Sequence, residues 1–147
     1  MILAPHLLVG AAIASKINFL PLALILAFLS HYLLDLLPHP EYSIENIKTR
    51  NWRKSFREFI LVGLDVLTGL FLIFIFSENK TVIYYGALMA ILPDFLVFLG
   101  LIFRNKFLAY NNDLHKKIHF LKNKKISGFW KFSIQISIIL LAIFFLL

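Results

Sequence analysis

"FILVGLDVLTGLFLIFIFS", residues 59–77, runs for nineteen residues without a basic side chain and with a single acid, Asp65. About 20 apolar residues in a helix cross the ~30 Å hydrocarbon core of a bilayer, so this run reads as a transmembrane helix. An ionised carboxylate inside it costs roughly 2.5 to 3.5 kcal/mol on insertion scales. The combination recurs along the chain. Phe19–Leu37 holds His31 and Asp35, Thr81–Phe103 holds Asp94, and Gly128–Leu147 completes four runs of spanning length.

The chain has 147 residues, of which 60% are hydrophobic, more than the roughly half that a soluble domain carries. An all-α, polytopic membrane helix bundle is predicted, a single domain over residues 1–147 with about four transmembrane helices. A fifth apolar segment, Leu3–Lys16, is too short to cross. It reads as the first arm of a helical hairpin and not as a leader peptide, because it holds His6, follows no basic stretch, and leads through Asn18 and Pro21 straight into the next run. The chain has no cysteine, so disulfides and thiolate metal sites are excluded and any ion must be held by histidine and carboxylate.

The net charge is +7. Two hydrophilic stretches, Pro38–Glu58 and Arg104–Ser127, carry twelve of the fifteen basic residues. Two crossings separate them, so they share one side of the membrane, the cytoplasm by the positive-inside rule. The charge is thus read as topology and contact with membrane lipids, with no nucleic-acid partner, in a cell (inner) membrane. Trp52 and Phe56 among the bases of "NWRKSFREF" predict a helix lying at the interface. The sixteen phenylalanines are assigned to packing and lipid contact.

On this topology the polar residues inside the runs gather at the cytoplasmic end. His31 and Asp35 lie in the cytoplasmic half of their helix with His39 just beyond. Asp65 is about two turns in, Asp94 is past the middle of its helix, and His6, His115 and His119 belong to the same side. His31/Asp35 and His115/His119 are both i, i+4 pairs, a spacing that sets two side chains on one helical face where they can meet one ion. The metal-ligand candidates are His6, His31, Asp35, His39, Asp65, Asp94, His115 and His119. Zinc is expected first, with manganese or iron as alternatives for such a nitrogen and oxygen donor set. Plainer roles stand beside these. His6 can cap its helix, His39 between two prolines can be an ordinary loop histidine, and Asp65 can bond Thr68 or a neighbouring backbone. Asp94 can accept backbone donors freed by Pro93.

"PHLLVGAAIAS" near the start, then "ILPDF", then "LHKKIH" resemble in order the YdjM-like family of predicted membrane-bound metal-dependent hydrolases. "SHYLLDLLPH" is similar to the HxxxD helix of the zinc-dependent phospholipase C and single-strand nuclease superfamily. Where the membrane family's last segment carries arginine, threonine and serine, this chain has "HKKIHF". The resemblance implies hydrolysis of a phosphate ester, such as a lipid-linked one, by metal-activated water, with Asp35 or Asp65 as general base. Two other classes carry similar residues: a small transporter or ion-pathway protein, which would show repeats or broken helix pairs, and a non-catalytic scaffold that needs fewer buried acids.

Overall fold

The computed structural model describes residues 2–103, 105–118 and 126–147. These residues form helices and connecting turns without a strand. In chain order the helices are α1 (Leu3–Lys16), α2 (Leu20–Asp35), α3 (Glu45–Lys48), α4 (Phe56–Phe76), α5 (Thr81–Ile102), α6 (Lys106–Ile118) and α7 (Gly128–Leu146). Only α4, α5 and α7 are long and apolar enough to cross a membrane. At 1.5 Å per residue α1 and α2 reach ~21 and ~24 Å, against ~31 Å for α4. The predicted run Phe19–Leu37 therefore yields a shorter helix than its apolar length suggested, because the chain leaves the helix at Leu36.

The shortest apolar helix is the central one. α1 packs against α2, α4, α5 and α7, and nine of its fourteen residues are buried. Its neighbours keep large apolar side chains on the outside, Leu64, Leu67, Phe71 and Phe74 on α4 and Ile136, Leu140 and Phe144 on α7. In water that surface would be untenable; in lipid it is the expected solvent-facing side.

Small residues set the distance between helices. A Cβ at Gly10 would run into the Gly86 carbonyl and Ala90 Cβ, and one at Gly86 into Ala14 Cβ and the Gly10 carbonyl. The antiparallel α1 and α5 thus cross nearly backbone to backbone, the small-xxx-small packing that substitutes for a hydrophobic driving force in lipid. Each contact row ends in a polar residue four positions on. His6 precedes Gly10 and Ala14 on α1, and Asp94 follows Gly86 and Ala90 on α5. On α2 the buried row is Ala23, Ala27, His31 and Asp35.

The segment between α2 and α4 differs from expectation. No interfacial helix forms over residues 51–59. Residues 52–54 are a turn, reached through Arg50 at φ 58°, and α4 already begins at Phe56. Trp52 instead stacks on Phe59, with ring centroids 6.4 Å apart. Glu58 fixes the one-turn α3 from below: its carboxylate accepts the Asn46 amide at 3.0 Å, the Asn46 side chain at 2.7 Å and the Ile47 amide at 2.8 Å.

Candidate metal centre

Three rows of small residues converge at one end of the bundle, and their terminal side chains meet. α1 brings His6, α2 brings His31 and Asp35, α5 brings Asp94, and α6 reaches in with His115. Asp35 Oδ1 lies 3.3 Å from His6 Nε2, and Asp35 Oδ2 lies 3.1 Å from His31 Nε2 and 3.8 Å from His115 Nε2. Asp94 Oδ1 is 3.7 Å from His31 Nε2 and 3.3 Å from His115 Nε2. The His6 and His31 rings stack with centroids 4.3 Å apart. Bonds of ~2.0 to 2.2 Å to a shared ion separate neighbouring donors by about 3 to 4 Å, which is the spacing found here. Two overlapping triads, His6/His31/Asp94 and His31/Asp35/His115, have the geometry to hold a metal ion.

The hydrogen bonding around His31 strengthens that fit. Its Nδ1 lies 2.8 Å from the Ala90 carbonyl oxygen. A carbonyl only accepts, so Nδ1 carries the proton and, in the neutral ring, Nε2 is a bare lone pair. That lone pair points at two carboxylates and makes no hydrogen bond. Acceptor facing acceptor is repulsive unless a cation or a proton sits between them. The backbone carbonyl behind the ring is the usual outer partner that orients a metal-bound histidine. His6 is fully buried; its Nε2 faces Asp35 Oδ1, and its Nδ1 has no hydrogen-bond partner among the described residues. The two carboxylates carry the charge that one divalent cation would cancel in a low-dielectric setting.

The cluster is open on one side. The His6, His31 and Asp35 side chains are inaccessible, whereas those of Asp94 and His115 are 28% and 13% exposed. By helix rise Asp94 lies ~12 Å below the last residue of α5, within the membrane-spanning part of the bundle.

Two residues expected at the ion are elsewhere. Asp65 does not join the cluster, because its carboxylate caps α1 from a neighbouring helix. It accepts the backbone amides of Leu3 and Ala4, the latter at 3.3 Å, and the Tyr42 hydroxyl at 3.3 Å. The first amides of a helix have no internal partner and carry the positive end of its dipole, so a carboxylate is well matched to them. Burial, and then the Asp65 carboxylate beside it, push the Tyr42 phenol well above its ordinary value, which keeps it a donor. Asp65 therefore holds the helix that carries His6. His39 also stays away: Nδ1 contacts the Leu37 carbonyl at 2.6 Å and Nε2 the Glu41 carboxylate at 3.0 Å, a local turn between two prolines. His119 lies outside the described residues.

The sequence reading did not single out Tyr32, Tyr42 or Asn111. Asn111 Nδ2 donates to the Pro93 carbonyl at 3.5 Å, and the Tyr32 hydroxyl donates to Asn111 Oδ1 at 3.3 Å. These contacts tie α6, and with it His115, to α2 and α5. Comparison of the chain with protein-family models, with curated proteins and with solved structures finds no match.

Proposed function

We propose that this protein is a membrane-embedded, metal-dependent hydrolase of a phosphate ester, with a lipid-linked ester the best-suited substrate. The observation that carries the reading is the buried Nε2 of His31, without a hydrogen-bond partner among the described residues, facing Asp35 and Asp94 inside a cluster of three imidazoles. His6, His31, Asp35, Asp94 and His115 would hold the ion. Zinc suits the donors, and five of them also suit manganese or iron. Such an ion supplies a Lewis acid for a phosphoryl oxygen and acidifies water at neutral pH. Asp94, the more exposed carboxylate, is the group we assign to accept a proton at the open side, a role the sequence reading gave to Asp35 or Asp65. Asp35, buried among the three histidines, is assigned to binding alone. The depth of the site favours a substrate that enters with its head group from the bilayer.

The same reading takes α2 as a fourth crossing, with the site facing the cytoplasm of a cell membrane. The twelve basic residues of the two hydrophilic stretches support that orientation.

Elemental analysis of detergent-purified protein tests the proposal, alongside a His31→Ala/Asp35→Ala variant and phosphodiesterase and phosphatase assays on lipid and generic esters. Near-stoichiometric metal that the double variant loses, together with activity that falls in parallel, is expected. Wild-type protein without bound metal, or activity intact in the double variant, would overturn it.

A further inference from the structure

His115 differs from the other four cluster residues in what carries it. His6, His31, Asp35 and Asp94 sit on helices packed inside the bundle, whereas α6 crosses the C-terminal half of α5, against Pro93, Asp94 and Gly100, and makes a smaller contact with α2. Ten of its thirteen residues define three faces. Leu108, Asn111, Asn112 and His115, spaced as one side of a helix, face the protein: Leu108 and Asn111 are buried, and Asn112 is seated on Gly100, where any Cβ would collide with its side-chain amide. Phe107, Tyr110 and Leu114 form a second side at three- and four-residue spacing, 65%, 71% and 38% exposed. Lys106, Asp113 and Lys117 form the third, and all are exposed.

A helix at a water-facing surface needs one apolar side and one polar side. Three faces, with the second apolar side uncovered, match a helix that borders protein, lipid and water together. The end of α5 shows the same character, with Ile102 and Phe103 45% and 59% exposed, as do the lipid-facing residues of α4 and α7. Tyrosine at such a boundary and lysines on the side away from lipid are the usual interfacial pattern.

We infer that α6 lies in the plane of the membrane interface with Phe107, Tyr110 and Leu114 sunk into lipid, and that the bilayer thereby holds His115 at the metal centre. The second half rests on the metal reading above; the first does not. On this arrangement the bilayer adds to the Tyr32, Asn111 and Asn112 contacts in keeping the fifth donor at the site, and an amphiphile entering past Asp94 passes along the lipid beside α6.

Since the chain has no cysteine, single nitroxide labels at Tyr110→Cys and Asp113→Cys can report depth in nanodiscs of phosphatidylethanolamine and phosphatidylglycerol. Oxygen should broaden the label at 110 more than a water-soluble nickel chelate does, with the reverse at 113. Equal, water-like accessibility at both positions overturns the seat, and spin–spin broadening at 110 would assign the face to a second copy instead. Zinc titration of nanodisc-held protein tests the clamp. A Phe107→Ser/Tyr110→Ser/Leu114→Ser variant should bind at least tenfold more weakly than wild type and approach the affinity of His115→Ala. Wild-type affinity in the triple variant overturns the clamp while leaving the metal reading intact. Absence of zinc binding in wild type would instead sink the metal reading, and the labels would still decide where α6 lies.

Discussion

Asp35→Asn separates a metal ligand from a structural polar residue, because it keeps shape and removes charge. Asp35 lies within 4 Å of all three clustered imidazoles and is 2% exposed. Loss of an outer partner of a metal ligand typically weakens binding 10- to 100-fold, so loss of a charged donor in direct contact should cost about 100-fold or more. With zinc at ~100 times the wild-type dissociation constant, the ion stabilises the wild type by about 2.7 kcal/mol and a 100-fold weaker variant by only ~0.4 kcal/mol. For a chain of this length each kcal/mol moves the midpoint by roughly 2 to 4 °C, so the zinc-induced shift should shrink by about 5 to 9 °C. Without metal the order reverses, since a neutral amide is cheaper to bury than a carboxylate and the metal-free variant should be as stable as the wild type or more so. Thermal unfolding with and without zinc, followed by the fluorescence of Trp52 and Trp130, reads both effects. Unchanged metal content together with raised stability in Asp35→Asn would assign the residue to helix association and remove the basis for a hydrolase.

Asp65→Ala should strip the cap from α1 and leave the Leu3 and Ala4 amides without their acceptor, at about 1–3 kcal/mol per buried group by denaturation; zinc affinity should fall less than in Asp35→Asn, and an equal fall would make Asp65 a ligand. Gly86→Leu should force α1 and α5 apart and destabilise by at least the ~1–3 kcal/mol typical of overpacking. Gly63→Ala, which meets nothing within 4 Å, should be neutral or stabilising by up to about 1 kcal/mol; similar effects at both glycines would disprove the close crossing. In intact cells a cysteine at Asn79 should react with an impermeant thiol reagent and one at Lys54 should not, and the opposite result would turn the site to the other face.

Apolar length was the most legible feature of the chain. Residues 59–77 and 81–103 announced α4 and α5 to within three residues, because crossing lipid leaves little freedom in composition. The His31/Asp35 pair was legible through its spacing, and the depth argument brought Asp94, His6 and His115 to the same end. Asp65 defeated the same argument: depth alone cannot distinguish a carboxylate aimed at an ion from one aimed at the first amides of another helix. A signal did exist, since no side chain caps α1 from its own flank, so its amides needed an acceptor from elsewhere. The interfacial helix was sought at residues 51–59, where aromatic and basic residues are mixed, and the structure has a turn there; a helix with an exposed apolar row forms at 106–118, where Phe107, Tyr110 and Leu114 keep a helical period. Periodicity was the better guide than composition. The rows of small residues ending in His6, His31 and Asp94 were readable as spacings, but only the crossing of α1 and α5 reveals that they converge.

The central position of α1 bears on how the protein is made. α1 and α2 are synthesised before the surfaces that surround α1 on α4, α5 and α7, and fourteen residues are too few to hold a bilayer crossing alone. The hairpin must therefore wait, loosely inserted, until α7 arrives; Ala142 and Leu146 of that last helix belong to the same core cluster as Leu8, Ala11 and Ala12. Three of the five clustered residues, His6, His31 and Asp35, ride on the hairpin and the other two, Asp94 and His115, on α5 and α6. A chain truncated before α7 would keep every residue of the cluster and lose the packing that seats α1, so that on the metal reading its metal occupancy would report whether α7 had been added.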